Sequence, residues 1–198
     1  MSPPDFWLRP DTRSQKFLNT LECHVPLITT TERLHIREIV EADLAFLARI
    51  YSDAVCMQYY AGIKSHLETR AWFEQLAFDS YNRHGFGLWA VVDATSNEVI
   101  GDCGITLQQT PAGFEPEIGY HLWREFWGQG FATEAAIACR DYAFQNLGLR
   151  RVVSITSSDN IPSQKVAQRV HDRKEIYQKR LRGTLVDRYL YISEKCYP

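Results

Sequence analysis

Apolar and polar positions change period along this chain, and the changes predict its elements. Residues 33–37 alternate, with Leu34 and Ile36 apolar between Arg33, His35 and Arg37, as a half-buried strand requires. Residues 41–52 then switch to helical spacing, with Leu44, Leu47, Ala48 and Tyr51 on one stripe. A second helix is predicted to start at Ser65-His66-Leu67-Glu68, which has the form of a capping box. Trp72, Phe73, Leu76 and Ala77 form its apolar face, and Gly85 and Gly87 mark its exit.

Strands are predicted over residues 88–92 and 98–107, joined by a turn at 94–97, and over residues 114–123. Residues 132–146 read as a helix with Ala135, Cys139, Tyr142 and Ala143 near one face, and Gly148 suits its left-handed stop. Residues 151–156 make a short β-branched strand, and Pro162 fits the first turn of a helix ending near Val170. Two final strands, 174–181 and 186–193, turn at Gly183. The order β-α-α-β-β-β-α-β-α-β-β predicts an α/β fold with a mixed sheet flanked by helices. Residues 1–28, with four prolines and little periodicity, read as an N-terminal extension ahead of one domain over residues 29–198.

Composition narrows the class. The chain has 198 residues, 45% hydrophobic and 23% charged, which suits one globular domain. A net charge of −2 gives no bulk reason to expect a nucleic-acid or membrane partner. Cys23, Cys56, Cys103, Cys139 and Cys196 form no C-x-x-C pair, so no metal is expected and reduced thiols in a cytoplasmic protein are. No apolar run reaches the ~20 residues of a membrane span.

The stretch Glu117-Ile118-Gly119-Tyr120-His121-Leu122-Trp123-Arg124-Glu125-Phe126-Trp127-Gly128-Gln129-Gly130-Phe131-Ala132-Thr133-Glu134 carries the chemistry. It reads as a strand, a glycine turn and a helix N-terminus. Converging N–H groups and the helix dipole at such a turn suit a phosphate or pyrophosphate. Glycines there also make ordinary tight turns, and the spacing is neither the dinucleotide G-x-G-x-x-G nor the P-loop pattern.

These residues resemble the signature of the GNAT superfamily (GCN5-related N-acetyltransferases), in the branch of the ribosomal-protein N-terminal acetyltransferases. That branch reads E-I-G-Y-x-L, W-G-x-G-[FY]-A-T-E-A, D-Y-A-F-x-x-L-G-L-x-R-V and N-x-x-S-x-x-V-A. The same letters stand here at residues 117–122, 127–135, 141–152 and 160–167. The resemblance implies a splayed central sheet in which acetyl-CoA, as co-substrate, lies between the strands at 114–123 and 151–156. It implies that main-chain N–H groups of Gln129, Gly130, Phe131, Ala132 and Thr133 hold the pyrophosphate. Leu122 would pair with the thioester or pantetheine, Asn160 would bond the pantetheine, and Ser163 would sit near the sulfur.

An ammonium acceptor must lose a proton before attack, and Glu117 matches the family's base position. His121 is the rival base, since imidazole titrates near neutrality. Strict alternation puts both on one face, unless a bulge lies between them. The tyrosine that many relatives place on the last helix is Ala167 here, and the usual K-L-G-F is Arg169-Val170-His171-Asp172. His171 and Asp172 could therefore reshape that loop or contact substrate. Six acids, Glu98, Asp102, Glu115, Glu117, Glu125 and Glu134, would favour a cationic acceptor if they converge. The expectation is an acetyl-CoA-dependent N-acetyltransferase acting on a primary amine (a protein N-terminal α-amine or a small molecule) by direct attack in a ternary complex. It would be a monomer or homodimer. The alternative is a CoA-binding module with weak turnover.

Overall fold

The computed structural model describes residues 25–181 and 183–195. The expected extension lies almost wholly outside the described residues. The elements run β1 (Leu27–Thr30), β2 (Leu34–Glu38), α1 (Leu44–Ser52), α2 (His66–Phe73), α3 (Asp79–His84), β3 (Leu88–Asp93), β4 (Val99–Thr110) and β5 (Gly113–Leu122). They continue with α4 (Phe131–Gln145), β6 (Arg151–Ser157), α5 (Ile161–Val170), β7 (Arg173–Leu181) and β8 (Thr184–Glu194). Among the described residues, eight strands form one mixed sheet in the order β1-β2-β3-β4-β5-β6-β8-β7.

The predicted signals act as expected locally. Ser65 Oγ accepts the Glu68 N–H at 3.2 Å, and a Glu68 carboxylate oxygen accepts the Ser65 N–H at 2.8 Å. Such a cap is worth about 1 kcal/mol. Gly85 closes α3 at φ 76°, in the left-handed region that favours glycine. Two features differ from the sequence expectation. Leu27–Thr30 pairs antiparallel with β2, and α2 passes into α3 through a π turn at Glu74–Phe78.

Neighbours on β4 show how the sheet is clothed. Successive side chains on a strand point to opposite faces. Asp102 meets the Tyr51 hydroxyl of α1, whereas the Cys103 Sγ lies 3.5 Å from the Cys139 Sγ of α4. One face therefore carries α1, and the other carries α4. The main core between these layers includes Leu47, Tyr51, Phe73, Trp89, Cys103, Ile105, Ile118, Ala135 and Cys139, all fully or almost fully buried.

The feature that positions the site is a parting of strands. β5 and β6 run parallel and are paired at Glu117 and Val153. Just past that pair, the Ile118 carbonyl accepts a hydrogen bond from the Ser154 hydroxyl at 2.8 Å. Beyond it, β5 continues to Leu122 along the β4 side, while β6 pairs with β8 along Arg151–Ser157. A wedge opens between them.

Candidate active site

The wedge leads to a cavity of about 420 Å³. Its walls come from both faces of the sheet. Tyr60 and His121 line it from the α1 side, and Tyr120, Ser163 and Val166 from the side of α4 and α5. The wedge is thus a passage through the sheet. Leu122, Gly130, Phe131, Ala132, Thr133 and Asn160 also line it, so eight of the ten predicted site residues share one cavity. Gln129 and Glu117 are not among its lining residues.

At the glycine turn, Gly128 and Gly130 adopt φ 75° and 86°. Gly130 is the N-cap of α4, so the first N–H groups of that helix are presented at the cavity wall. Arg33 braces the turn from outside. Its Nη1 donates to the Gln129 carbonyl at 3.0 Å, its Nε donates to Glu134 at 2.8 Å, and its guanidinium lies over the Phe131 ring at 4.4 Å. The Thr31 hydroxyl also donates to Glu134. Across the cavity, α5 carries Lys165 and Arg169 one turn apart on the lining.

The exposed edge of β5 follows from alternation. The Trp123 N–H points to β4 and donates to the Ile100 carbonyl at 3.0 Å. The Leu122 N–H and carbonyl therefore face the wedge. Trp127 Nε1 donates to that carbonyl at 2.8 Å, which leaves the N–H as the group Leu122 offers.

The β4–β5 register runs without a shift from Gly101–Leu122 to Thr110–Gly113, so no bulge separates Glu117 from His121. Both face α1, as strict alternation requires. Their partners across the ladder are Thr106 and Asp102. Gly119 lies between them, and a Cβ there would meet only the Glu117 carboxylate, at 3.4 Å. The floor between the two candidate bases is therefore open.

The two differ in how they are held. Glu117 accepts from the Thr106 hydroxyl at 3.2 Å and, at 3.5 Å, from the Ile155 N–H. Withdrawal from water raises its pKa, and those two donors offset part of the rise. His121 has its Nδ1 at 3.1 Å from an Asp102 oxygen and at 3.0 Å from the Tyr51 hydroxyl oxygen. The Tyr51 hydroxyl donates to the same carboxylate at 3.1 Å. With its one proton given to Asp102, Tyr51 can only accept from Nδ1. The proton of the neutral ring thus sits on Nδ1, and Nε2 keeps its lone pair. Nε2 is buried and has no hydrogen-bond partner among the described residues. Asp102 is completely buried, and the Tyr60 ring packs on the imidazole at 5.0 Å between centroids.

Sequence reasoning placed His121 but missed what holds it. Asp102 was only one of six acids, and Tyr51 was read as a core position. The signal lay in the hairpin: Asp102 is eight residues before Thr110 and His121 eight after Gly113, so an unshifted ladder pairs them. The six acids do not converge on the cavity. Glu134 is taken by Arg33, Glu115 by Arg151 at 2.5 Å, and Asp102 by His121 and Tyr51.

On α5, Asn160 is the N-cap, its Oδ1 accepting the Ser163 N–H at 3.1 Å. Ser163 Oγ is 3.0 Å from the Tyr120 hydroxyl. Ala167 is fully buried and brings no hydroxyl. His171 does not contact the cavity. It is buried between Ser193, 3.0 Å from Nδ1, and Ser154, 2.9 Å from Nε2. Burial first, and Arg140 second, lower its pKa to about 4. The backbone leaves α5 extended at His171, with φ −117° and ψ 156°, so no left-handed glycine is needed there. Among the described residues, no cluster of His, Cys, Asp or Glu could hold a metal ion, and no helix is long and apolar enough to cross a membrane.

The acetyltransferase (GNAT) domain model matches residues 33–171, the span that contains the wedge, the glycine turn and α5. The chain belongs to the GNAT acetyltransferase family and is an acetyltransferase. It is 34% identical to YkkB of Bacillus subtilis over 143 residues, covering 71% of this chain and 81% of that protein. An acetyltransferase of Agrobacterium tumefaciens superposes with a TM-score of 0.71 at 27% identity, covering 90% of this chain and 99% of that one. RimL, a ribosomal L7/L12 α-N-protein acetyltransferase solved in complex with coenzyme A, shares the fold. Its TM-score is 0.70 at 21% identity, over 85% of this chain and 97% of that one.

Proposed function

We propose that this protein transfers the acetyl group of acetyl-CoA to a primary amine, by direct attack within a ternary complex, with His121 as the base. The observation that carries the reading is the Nε2 of His121, without a partner among the described residues and buried at the wall of the cavity that the glycine turn also lines. A fully buried Asp102 carboxylate is costly to keep for stability alone. Against Nδ1 it fixes the tautomer that leaves Nε2 free to accept a proton.

The other residues fit acetyl-CoA in this passage. The N–H groups of α4's first turn and the helix dipole receive the pyrophosphate, with Lys165 and Arg169 opposite to balance its charge. Leu122 offers its N–H to the thioester oxygen. A donor of that kind stabilises the tetrahedral intermediate by about 2.7–4 kcal/mol. The Asn160 Oδ1 is committed to the cap, so its Nδ2 is the group that meets the pantetheine. His121 takes the amine's proton from the α1 side as the nitrogen attacks. Glu117, two strand positions beyond Gly119, holds negative charge near the entering cation rather than taking the proton. The acceptor is a small-molecule amine or a protein N-terminal α-amine.

The test is release of CoA thiol from acetyl-CoA on addition of spermidine, phenethylamine or a short peptide with a free N-terminus. Saturable release with at least one of them is expected. No release with any of them, from a folded sample that binds acetyl-CoA, would contradict the reading.

A further inference from the structure

The departing sulfur needs a donor, and the helix position that supplies a tyrosine in many relatives is here Ala167, fully buried. A phenol reaches the same place from another element. Tyr120 stands on β5 two residues before Leu122, and alternation turns it to the α5 face. Its hydroxyl donates to the Ser163 carbonyl at 2.9 Å and lies 3.0 Å from Ser163 Oγ. Tyr120, Ser163 and Leu122 all line the cavity. We propose that Tyr120 is a positioning residue for thiolate departure, acting through Ser163 Oγ, which is the group that touches the sulfur. The proposal rests on the acetyl-CoA reading above.

The hydrogen bonds allow two arrangements of the same protons. At rest, Tyr120 donates to the Ser163 carbonyl and accepts from Ser163 Oγ–H. With a thiolate in place, Ser163 Oγ–H turns to the sulfur and the Tyr120 O–H turns to Oγ. The Ser163 carbonyl is not orphaned by the move, because it lies in α5 four residues before Ala167, whose N–H it receives in a regular helix. A hydroxyl that accepts a hydrogen bond donates a stronger one, so the phenol reinforces the serine. Burial keeps the phenol protonated, opposed in part by its bond to Ser163. It is therefore a donor throughout the working pH range.

The step balances without a proton from Tyr120. The amine nitrogen bonds to the carbonyl carbon, the carbon–sulfur bond breaks, and its electron pair leaves on sulfur. The entering ammonium gives one proton through His121 Nε2 to solvent before attack, and the second, lost as the amide forms, is taken by His121 Nε2. The thiolate leaves hydrogen-bonded to Ser163 and is protonated by solvent.

The test needs no acceptor. CoA itself is bound to the protein, and the ionisation of its thiol is followed by ultraviolet absorbance of the thiolate against pH. Wild type is compared with Tyr120→Phe, Ser163→Ala and the double variant. Tyr120→Phe leaves His121, Tyr59, Tyr60, Cys56, Lys165 and Arg169, the other titratable groups lining the cavity, in place. The bound thiol is expected to ionise about one pH unit below free CoA in wild type. Each single variant should lose most of that shift with CoA affinity within about threefold, and the double variant should lose no more than Ser163→Ala. Bound CoA ionising alike in Tyr120→Phe and wild type, or losses that add, would overturn the relay alone. Failure of folded wild type to bind CoA would overturn the acetyl-CoA reading, and the relay with it.

Discussion

The two sides of the wedge are made of different materials. The side assigned to acetyl-CoA is mostly main chain: the turn at Gly128–Gly130, the first N–H groups of α4 and the edge of β5 at Leu122. The opposite side is side chains brought from afar. Tyr51 comes from α1, Asp102 from β4 and His121 from β5. A cofactor common to many enzymes can be gripped by backbone that tolerates sequence change, whereas one proton transfer needs particular groups at hydrogen-bond distance. Mutations should therefore divide into those that remove binding and those that remove turnover.

The largest effect on binding is expected at the turn. Gly130→Glu adds a side chain at φ 86°, where a Cβ meets the Arg33 guanidinium at 3.4 Å, and adds negative charge where the pyrophosphate is proposed to sit. Acetyl-CoA affinity should fall at least about 100-fold, or about 2.7 kcal/mol, by calorimetry on a sample whose circular dichroism is unchanged. Retained affinity would move the phosphate site elsewhere.

On the acceptor side, Asp102→Asn should lower kcat at least about 10-fold with acetyl-CoA binding intact, since an amide can donate as well as accept and no longer dictates the imidazole tautomer. An unchanged kcat would detach Asp102 from the chemistry. Glu117→Gln sharpens the contrast between the two carboxylates. Its turnover should fall by less than about 10-fold, below the roughly 10²–10⁴ of a general base. A larger loss would return the base role to Glu117.

The last effect concerns stability rather than activity and lies outside the site. The folded protein holds the His171 pKa down to about 4, below its ordinary 6.5. The unfolded chain thus binds the proton first. The contribution of His171 is complete above pH 6.5 and is lost as pH falls from there toward 4. By pH 5 the loss is about 2 kcal/mol. Urea unfolding at pH 7 and 5 should show this drop shrinking in His171→Gln. An equal drop in both proteins would mean that His171 is not held neutral.

What could be read in the sequence follows the same division. Ser65 with Glu68, the glycines at 128 and 130, and the strand-to-helix changes of period are local, and the structure places a cap, a left-handed turn and the elements there. The Asp102–His121 pair depends on ladder register, and Tyr51 depends on how α1 packs over the sheet. Neither follows from a period. The π turn at Glu74–Phe78 is one residue of extra backbone that leaves the apolar spacing readable as a helix. His171, read as a departure that reshapes its loop or reaches substrate, instead finds two serines on β6 and β8 that are distant in sequence.

The most direct measurement pairs acetyl-CoA calorimetry with thiol release on wild type and His121→Gln, with ATP as the binding control. The account predicts equal micromolar binding of acetyl-CoA to both proteins, none of ATP, and turnover reduced about 10²–10⁴-fold in the variant. Loss of acetyl-CoA binding in the variant, or turnover at the wild-type rate, would contradict it.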